Sequence, residues 1–100
     1  MAPVILINPF EVAAGREDEF VRLWEAAAAY MQRQPGYVST RLHRALLPNA
    51  RFAFVNVGEF ESPDQFLAAI STDEFQQLAG AMSDFPAAPA LYEVVREHHT

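Results

Sequence analysis

Asn8 and Asn56 are the residues of this sequence best suited to holding a small polar ligand. Asn8 lies beside Leu6 and Phe10 in one apolar run, and Asn56 lies in a second one, where Phe52, Phe54 and Phe60 alternate with it on the same side. A buried amide without a partner costs about 1 to 3 kcal/mol. If both amides lie in one pocket, they form a hydrogen-bonding clamp for a phenol or keto oxygen. The alternative is that each amide bonds to the backbone at an irregularity of a sheet.

Histidine is the other residue type that could carry chemistry, and the chain has three of them. His98 and His99 lie in a polar tail, and adjacent imidazoles rarely reach one ion together, so we expect no metal site. His43 lies between Leu42 and Arg44 in a predicted strand. Two interpretations of His43 stay open: a base or hydrogen-bond partner in a pocket, or a partly exposed or interface residue.

Composition and missing motifs exclude several classes of function. Seven basic residues against thirteen acidic ones give a net charge of -6, which argues against nucleic acid or anionic lipid as a partner. Cysteine is absent, and the chain contains no nucleophile elbow, phosphate loop or HExxH motif. The only early apolar run, Val4 to Ile7, is too short for a signal peptide or membrane span, so we expect a cytoplasmic protein.

The spacing of apolar residues predicts the elements that position these side chains. Ser62 and Thr72 are typical helix N-caps, and they indicate that the second helical region is split at Ser71-Thr72. The predicted elements are a strand at Pro3 to Val12, a helix at Arg16 to Gln34, strands at Tyr37 to Leu46 and Arg51 to Phe60, the split helix, and a strand at Ala90 to Arg96.

This order predicts an α+β fold of the ferredoxin-like βαββαβ kind, with an antiparallel sheet and helices on one of its faces. We expect one domain over residues 1–100, with a core at 3–96 and a polar tail at 97–100. The uncovered face would carry Ile5, Ile7, Val55 and Val57. An apolar face of this size usually marks an interface, so we expect a homodimer.

Four segments resemble the antibiotic-biosynthesis monooxygenase family in order and spacing. They are LINPFEV at Leu6 to Val12, AGREDEFVRLWEAAAAYM at Ala14 to Met31, QPGYVSTRLHRAL at Gln34 to Leu46, and FVNVGEFESPDQF at Phe54 to Phe66. The resemblance extends over nearly the whole chain, from Ile5 to Val95. It implies a dimeric α+β barrel with one pocket per subunit, between the helices and the sheet.

The resemblance also implies an activity and a site. The family's enzymes oxidise electron-rich, usually phenolic polycyclic compounds such as anthrones with O2, without flavin or metal, and place substrate-binding asparagines where Asn8 and Asn56 stand. With no cofactor expected, the substrate itself would be the reductant. We expect apolar walls from Leu6, Phe10, Trp24, Phe54, Phe60 and Tyr92. For Trp24 and Tyr92 the alternative is plain core packing.

Two departures from the family's patterns limit this interpretation. Phe60 stands where the monooxygenases usually have Trp, which keeps an aromatic wall but loses the indole N–H. A haem-degrading branch uses a Trp and a His where Ala69 and Ala79 stand here, so we do not expect haem degradation. The sequence favours an enzyme without deciding it. A non-catalytic dimeric binding module, or an isomerase or cyclase on the same fold, stays open.

Overall fold

The computed structural model describes residues 3–100; Met1 and Ala2 lie outside the described residues. The elements are β1 (Val4–Phe10), α1 (Glu17–Gln32), β2 (Tyr37–Arg44), β3 (Phe54–Phe60), α2 (Pro63–Ile70), α3 (Asp73–Gly80) and β4 (Ala90–Tyr92). The sheet has the strand order β2-β3-β1-β4, and every neighbouring pair is antiparallel. The predicted ferredoxin-like βαββαβ fold with a split second helix is confirmed.

The two short helices begin where their capping residues predict. The Ser62 hydroxyl accepts a hydrogen bond from the Gln65 backbone N–H at 3.2 Å, and Pro63 occupies the first helical position of α2. The Thr72 hydroxyl accepts from the Phe75 N–H at 3.1 Å and starts α3. Each cap satisfies a backbone donor that the first turn leaves unpaired, so the chain starts a new helix at Thr72.

Tyr30 connects α1 to the junction between the two short helices. Its ring is buried, and its hydroxyl donates to the Ala69 carbonyl at 2.7 Å and hydrogen-bonds to the Thr72 hydroxyl. A buried phenol needs such partners, because an unsatisfied hydroxyl costs free energy. The three helices are therefore held in fixed positions over one face of the sheet.

Alternation along the strands divides the sheet into an inner face under the helices and an outer face. Asn8 is the Cα partner of Asn56, and Leu6 is the partner of Gly58, so these four residues share the inner face. Ile5, Ile7, Val55 and Val57 lie on the outer face, as predicted, and all four are partly exposed. Among the described elements, no helix covers them.

The core of the inner face forms two clusters at opposite ends of the sheet. One contains Val4, Phe60, Phe66 and Ala69. The other contains Phe10, Phe20, Phe54 and Phe85, with Phe20 fully buried among the other three rings at centroid distances of 4.8 to 5.2 Å. The space between the clusters is the cavity described below.

All four strands are shorter than their sequence patterns indicate: β1 spans Val4–Phe10 rather than Pro3 to Val12, and β2 ends at Arg44 rather than Leu46. β3 starts at Phe54 rather than Arg51, and β4 ends at Tyr92 rather than Arg96. Tyr92 pairs with Ile5, so a longer β4 would next face Val4 and then Pro3, which has no N–H to donate. Beyond Val4, the neighbouring segment therefore offers no backbone N–H that could extend the pairing of β4. No helix of the described residues is both long enough and apolar enough to cross a membrane.

Candidate active site

A cavity of about 640 Å³ separates the helices from the inner face of the sheet. The sheet supplies its floor, α1, α2 and α3 supply its roof, and residues 82–91 close one end. Its volume falls within the range of about 300 to 1,000 Å³ that is typical of small-molecule sites. The fold thus provides one internal space large enough for a polycyclic ligand.

The floor is built from rows of side chains that follow the register of the sheet. Asn8 and Asn56 form one row, and Leu6, Gly58 and Thr40 form the next. Gly58 has no side chain, so the floor is open at its centre, beside the two amides. An amide pair next to an open apolar floor can hold the oxygen atoms of a flat ligand while its rings rest on the sheet.

The two amides differ in their hydrogen bonding. The Thr40 hydroxyl donates to Asn56 Oδ1 at 2.7 Å. Asn8 Oδ1 is buried and has no hydrogen-bond partner among residues 3–100. A buried acceptor of this kind costs about 1 to 3 kcal/mol. Native proteins seldom keep an unpaired buried acceptor without a functional reason.

Comparison with known proteins gives this cavity a family. The sequence profile described as antibiotic biosynthesis monooxygenase matches residues 3–81. The chain belongs to this family. A search of curated proteins found no significant match.

Solved structures agree with the antibiotic biosynthesis monooxygenase assignment. A candidate monooxygenase from Shewanella loihica PV-4 is 37% identical, with a TM-score of 0.81 over 96% of this chain and 97% of that one. SnoaB, a cofactor-independent oxygenase from Streptomyces nogalater, is 26% identical, with a TM-score of 0.86 over 97% of both chains. A candidate antibiotic biosynthesis monooxygenase from Nitrosomonas europaea is 14% identical, with a TM-score of 0.78 over 93% and 90% of the two chains, and shows the fold alone.

Six of the residues proposed from the sequence line the cavity of this family member. They are Leu6, Asn8, Phe10, Trp24, Asn56 and Phe60. Trp24 projects from α1 and also packs against the cluster around Phe20. Phe60 is buried and meets the rings of Phe66 and Tyr37 edge-on, at 5.4 and 5.9 Å between centroids. It therefore forms a firm end wall of the cavity.

Three proposed residues do not line the cavity, and those predictions are corrected. His43 pairs with Val55 and lies on the outer face, where its Nδ1 is 3.1 Å from the Val55 carbonyl oxygen. Tyr92 pairs with Ile5 and faces outward as well. Phe54 lies on the inner face, as predicted, but it is buried beyond the end of the cavity. Its ring stacks on that of Phe20, with 4.9 Å between the ring centroids.

Sequence reasoning missed Thr40, Gly58 and Leu91, which all line the cavity. Thr40 shares its strand face with Leu42, but a register shift between Tyr37 and Ser39 breaks the alternation that would have identified that face. Leu91 is the partner of Leu6 and occupies the inner position that we had assigned to its neighbour Tyr92. Without the register of β4, no signal separates these two neighbours.

The cavity lining is electrically neutral. Among the described residues, no Asp, Glu, His, Lys or Arg contributes to it. The polar side chains among its lining residues are those of Trp24, Tyr37, Thr40 and Ser83, together with the two asparagines. The site therefore offers hydrogen bonds and apolar contact, and among the described residues it has no carboxylate, imidazole or amine that could act as a general base.

Charged residues instead fix the segment that closes the cavity. Arg16 donates two hydrogen bonds of 2.9 Å to Glu19 and one of 3.3 Å to Asp84, and its guanidinium lies 4.8 Å from the Phe85 ring centroid. The hydrogen bond from Arg16 lowers the pKa of Glu19, and the same bond raises the pKa of Arg16. Since Phe85 lines the cavity, these contacts hold its wall against the start of α1.

Proposed function

We propose that this protein is a cofactor-independent monooxygenase that oxidises an electron-rich aromatic small molecule, such as an anthrone or another phenol, with O2. The observation that carries the proposal is the pair of neighbouring asparagines on the floor of an uncharged cavity, one of them with a buried acceptor that has no partner among the described residues. The family assignment and the likeness to SnoaB, itself a cofactor-independent oxygenase, support it.

The chemistry requires the substrate to become its own reductant. Loss of a proton from a phenol gives a phenolate and from an active methylene an enolate, and this anion transfers one electron to O2. The resulting radical and superoxide combine to a hydroperoxide, and loss of water leaves a carbonyl. The net change converts CH2 and O2 into C=O and H2O, so no outside reductant is needed.

The protein's contribution is to hold the oxygen atom on which negative charge develops. Amide donors aimed at a developing oxyanion stabilise it more strongly than water does, because they are already oriented. Asn56 is the natural donor, since Thr40 already donates to its Oδ1. The neutral lining means that the proton leaves to water or to another part of the substrate.

We also propose that the active form is a homodimer in which two sheets pack through their outer faces. Ile5, Ile7, Val55 and Val57 give this face an apolar centre. Arg41 and Glu59 flank that centre and make no salt bridge with any described residue. Under two-fold symmetry each Arg41 can meet the partner's carboxylate, so the face is complementary to a second copy of itself.

A binding module without catalysis is the second candidate, and the neutral lining is the observation that favours it. An isomerase or cyclase on the same fold is supported less well, because such reactions usually need a side chain that moves a proton. Oxygen consumption separates the candidates, since only the monooxygenase uses O2.

The test follows dissolved O2 during turnover of an anthrone by metal-free, flavin-free protein. We expect enzyme-dependent uptake of one O2 per quinone formed, a large loss of rate in Asn56→Ala, and no change in Gln77→Ala, which removes an exposed amide from α3. Binding without uptake, across a panel of anthrones and phenols, would replace the oxygenase by the binding module.

A further inference from the structure

Thr40 occupies a place from which it can hold the Asn56 amide. It is the β2 partner of Gly58, and it reaches diagonally across the inner face to Asn56, two residues before Gly58 in β3. A threonine hydroxyl is the donor in this contact, because Asn Oδ1 can only accept. A carboxamide is planar, so a hydrogen bond that fixes its oxygen also fixes the direction of its two N–H groups.

We propose that Thr40 is a positioning residue that holds the Asn56 carboxamide in place in the cavity floor, so that the amide is already ordered when a ligand binds. The inference rests on the proposed function only in taking the ligand to be an aromatic compound whose oxygen atom meets Asn56.

Gly58 makes this arrangement possible. A Cβ placed at Gly58 would lie 3.6 Å from Thr40 Oγ1 and 4.0 Å from the Leu6 Cβ, in the space between the two neighbouring strands. With glycine there, the Thr40 hydroxyl meets no side chain from its cross-strand partner and can turn toward Asn56. The absence of a side chain at Gly58 therefore opens the cavity floor and also leaves room for the hydrogen bond between Thr40 and Asn56.

Loss of the hydroxyl would release the Asn56 carboxamide from its anchor on β2. A ligand carbonyl would then have to order the amide before it could accept a hydrogen bond from it, and that ordering lowers the affinity. A hydrogen bond of this kind is worth about 1 kcal/mol, which corresponds to about a fivefold change in affinity. A ligand without oxygen atoms should not sense the difference.

The test is a binding measurement that needs no turnover. Trp24 is the only tryptophan in the chain and lines the cavity, so quenching of its fluorescence reports on occupancy. The probes are anthraquinone, which carries carbonyl acceptors, and anthracene, which has the same three-ring skeleton without oxygen. The proteins are wild type, Thr40→Val, Thr40→Ser, Asn56→Ala and the Thr40→Val/Asn56→Ala double variant.

We expect Thr40→Val to weaken anthraquinone about fivefold, to leave anthracene unchanged, and to have no further effect once Asn56 is alanine. Thr40→Ser should restore the wild-type affinity, because it keeps the hydroxyl. During turnover of an anthrone, Thr40→Val should lower kcat more than it raises KM, since the oriented donor acts mainly on the developing oxyanion.

Several results would overturn the inference. They are equal weakening of both probes, an undiminished Thr40→Val effect in the Asn56→Ala background, no effect on anthraquinone, or failure of the wild type to bind either probe. The inference about Thr40 can be tested independently of the oxygenase proposal. A wild type that binds with the expected pattern but takes up no O2 would remove the oxygenase and leave the role of Thr40 in place.

Discussion

The two asparagines should respond in opposite ways to the same substitution. Asn8→Leu removes a buried acceptor that has no partner among the described residues, so the variant avoids a cost of about 1 to 3 kcal/mol and adds an apolar contact with the floor of the cavity. Asn56→Leu instead breaks the 2.7 Å hydrogen bond from Thr40 and leaves a hydroxyl without its acceptor, a loss of about 1 kcal/mol. We therefore expect a difference of at least about 2 kcal/mol between the variants, in favour of Asn8→Leu.

Thermal unfolding followed by circular dichroism, at one protein concentration for all variants, measures this difference. For a domain of this length, 1 kcal/mol shifts Tm by about 4 to 8 °C, so Asn8→Leu should melt above wild type and Asn56→Leu below it. Both variants should lose most of the O2 uptake. A gain in stability that accompanies a loss of activity is expected where a polar group is kept for function. If Asn8→Leu melts below wild type, or if the two variants shift together, the reasoning about the unsatisfied acceptor is wrong.

Four further predictions follow from the same structure. Val57→Asp, which places a carboxylate at the centre of the outer face, should convert a dimer of twice 11.2 kDa into a monomer in light scattering, whereas Leu47→Asp in an exposed loop should not. Gly58→Ala should fold normally, because its Cβ meets only ordinary contacts, and should weaken anthraquinone more than a single-ring phenol by titration of fluorescence quenching. The hydrogen bond from Arg16 lowers the pKa of Glu19, so the Tm difference between wild type and Glu19→Gln should stay constant from pH 7 to about 5 and shrink below the ordinary carboxyl pKa of 4.5. Because no Asp, Glu or His lines the cavity among the described residues, the pH midpoint of kcat/KM should move with the pKa of the substrate phenol across a substrate series; a fixed midpoint would indicate a base on the enzyme.

The residues that were placed correctly from the sequence lie on strands whose alternation is unambiguous. In β1, the alternation from Val4 to Phe10 assigns Asn8 to the same face as Leu6. In β3, the even spacing of Asn56 and Phe60 assigns these two residues to one face as well. Helix caps at Ser62 and Thr72 likewise predicted the split helix, because capping is a local interaction that sequence alone reveals.

The misplaced residues lie where local pattern does not determine the answer. The face of His43 depends on the β2–β3 register and on the irregularity near Tyr37, and that of Tyr92 depends on how a proline-containing loop delivers a three-residue strand. Phe54 shows a different limit, since alternation gives the face of a residue but not its depth. Its ring points inward and is then covered by Phe20 from α1.

Isotopic labelling of the product tests the central claim most directly. Metal-free, flavin-free protein is given an anthrone under oxygen-18 gas, and the quinone is examined by mass spectrometry soon after the reaction, with labelled quinone incubated in parallel to correct for exchange with water. The proposed monooxygenase predicts one heavy oxygen atom in each quinone and the other in water, at a rate that depends on the enzyme and falls in Asn56→Ala. Quinone whose new oxygen comes from water, or whose rate of formation is the same with and without the protein, would contradict it.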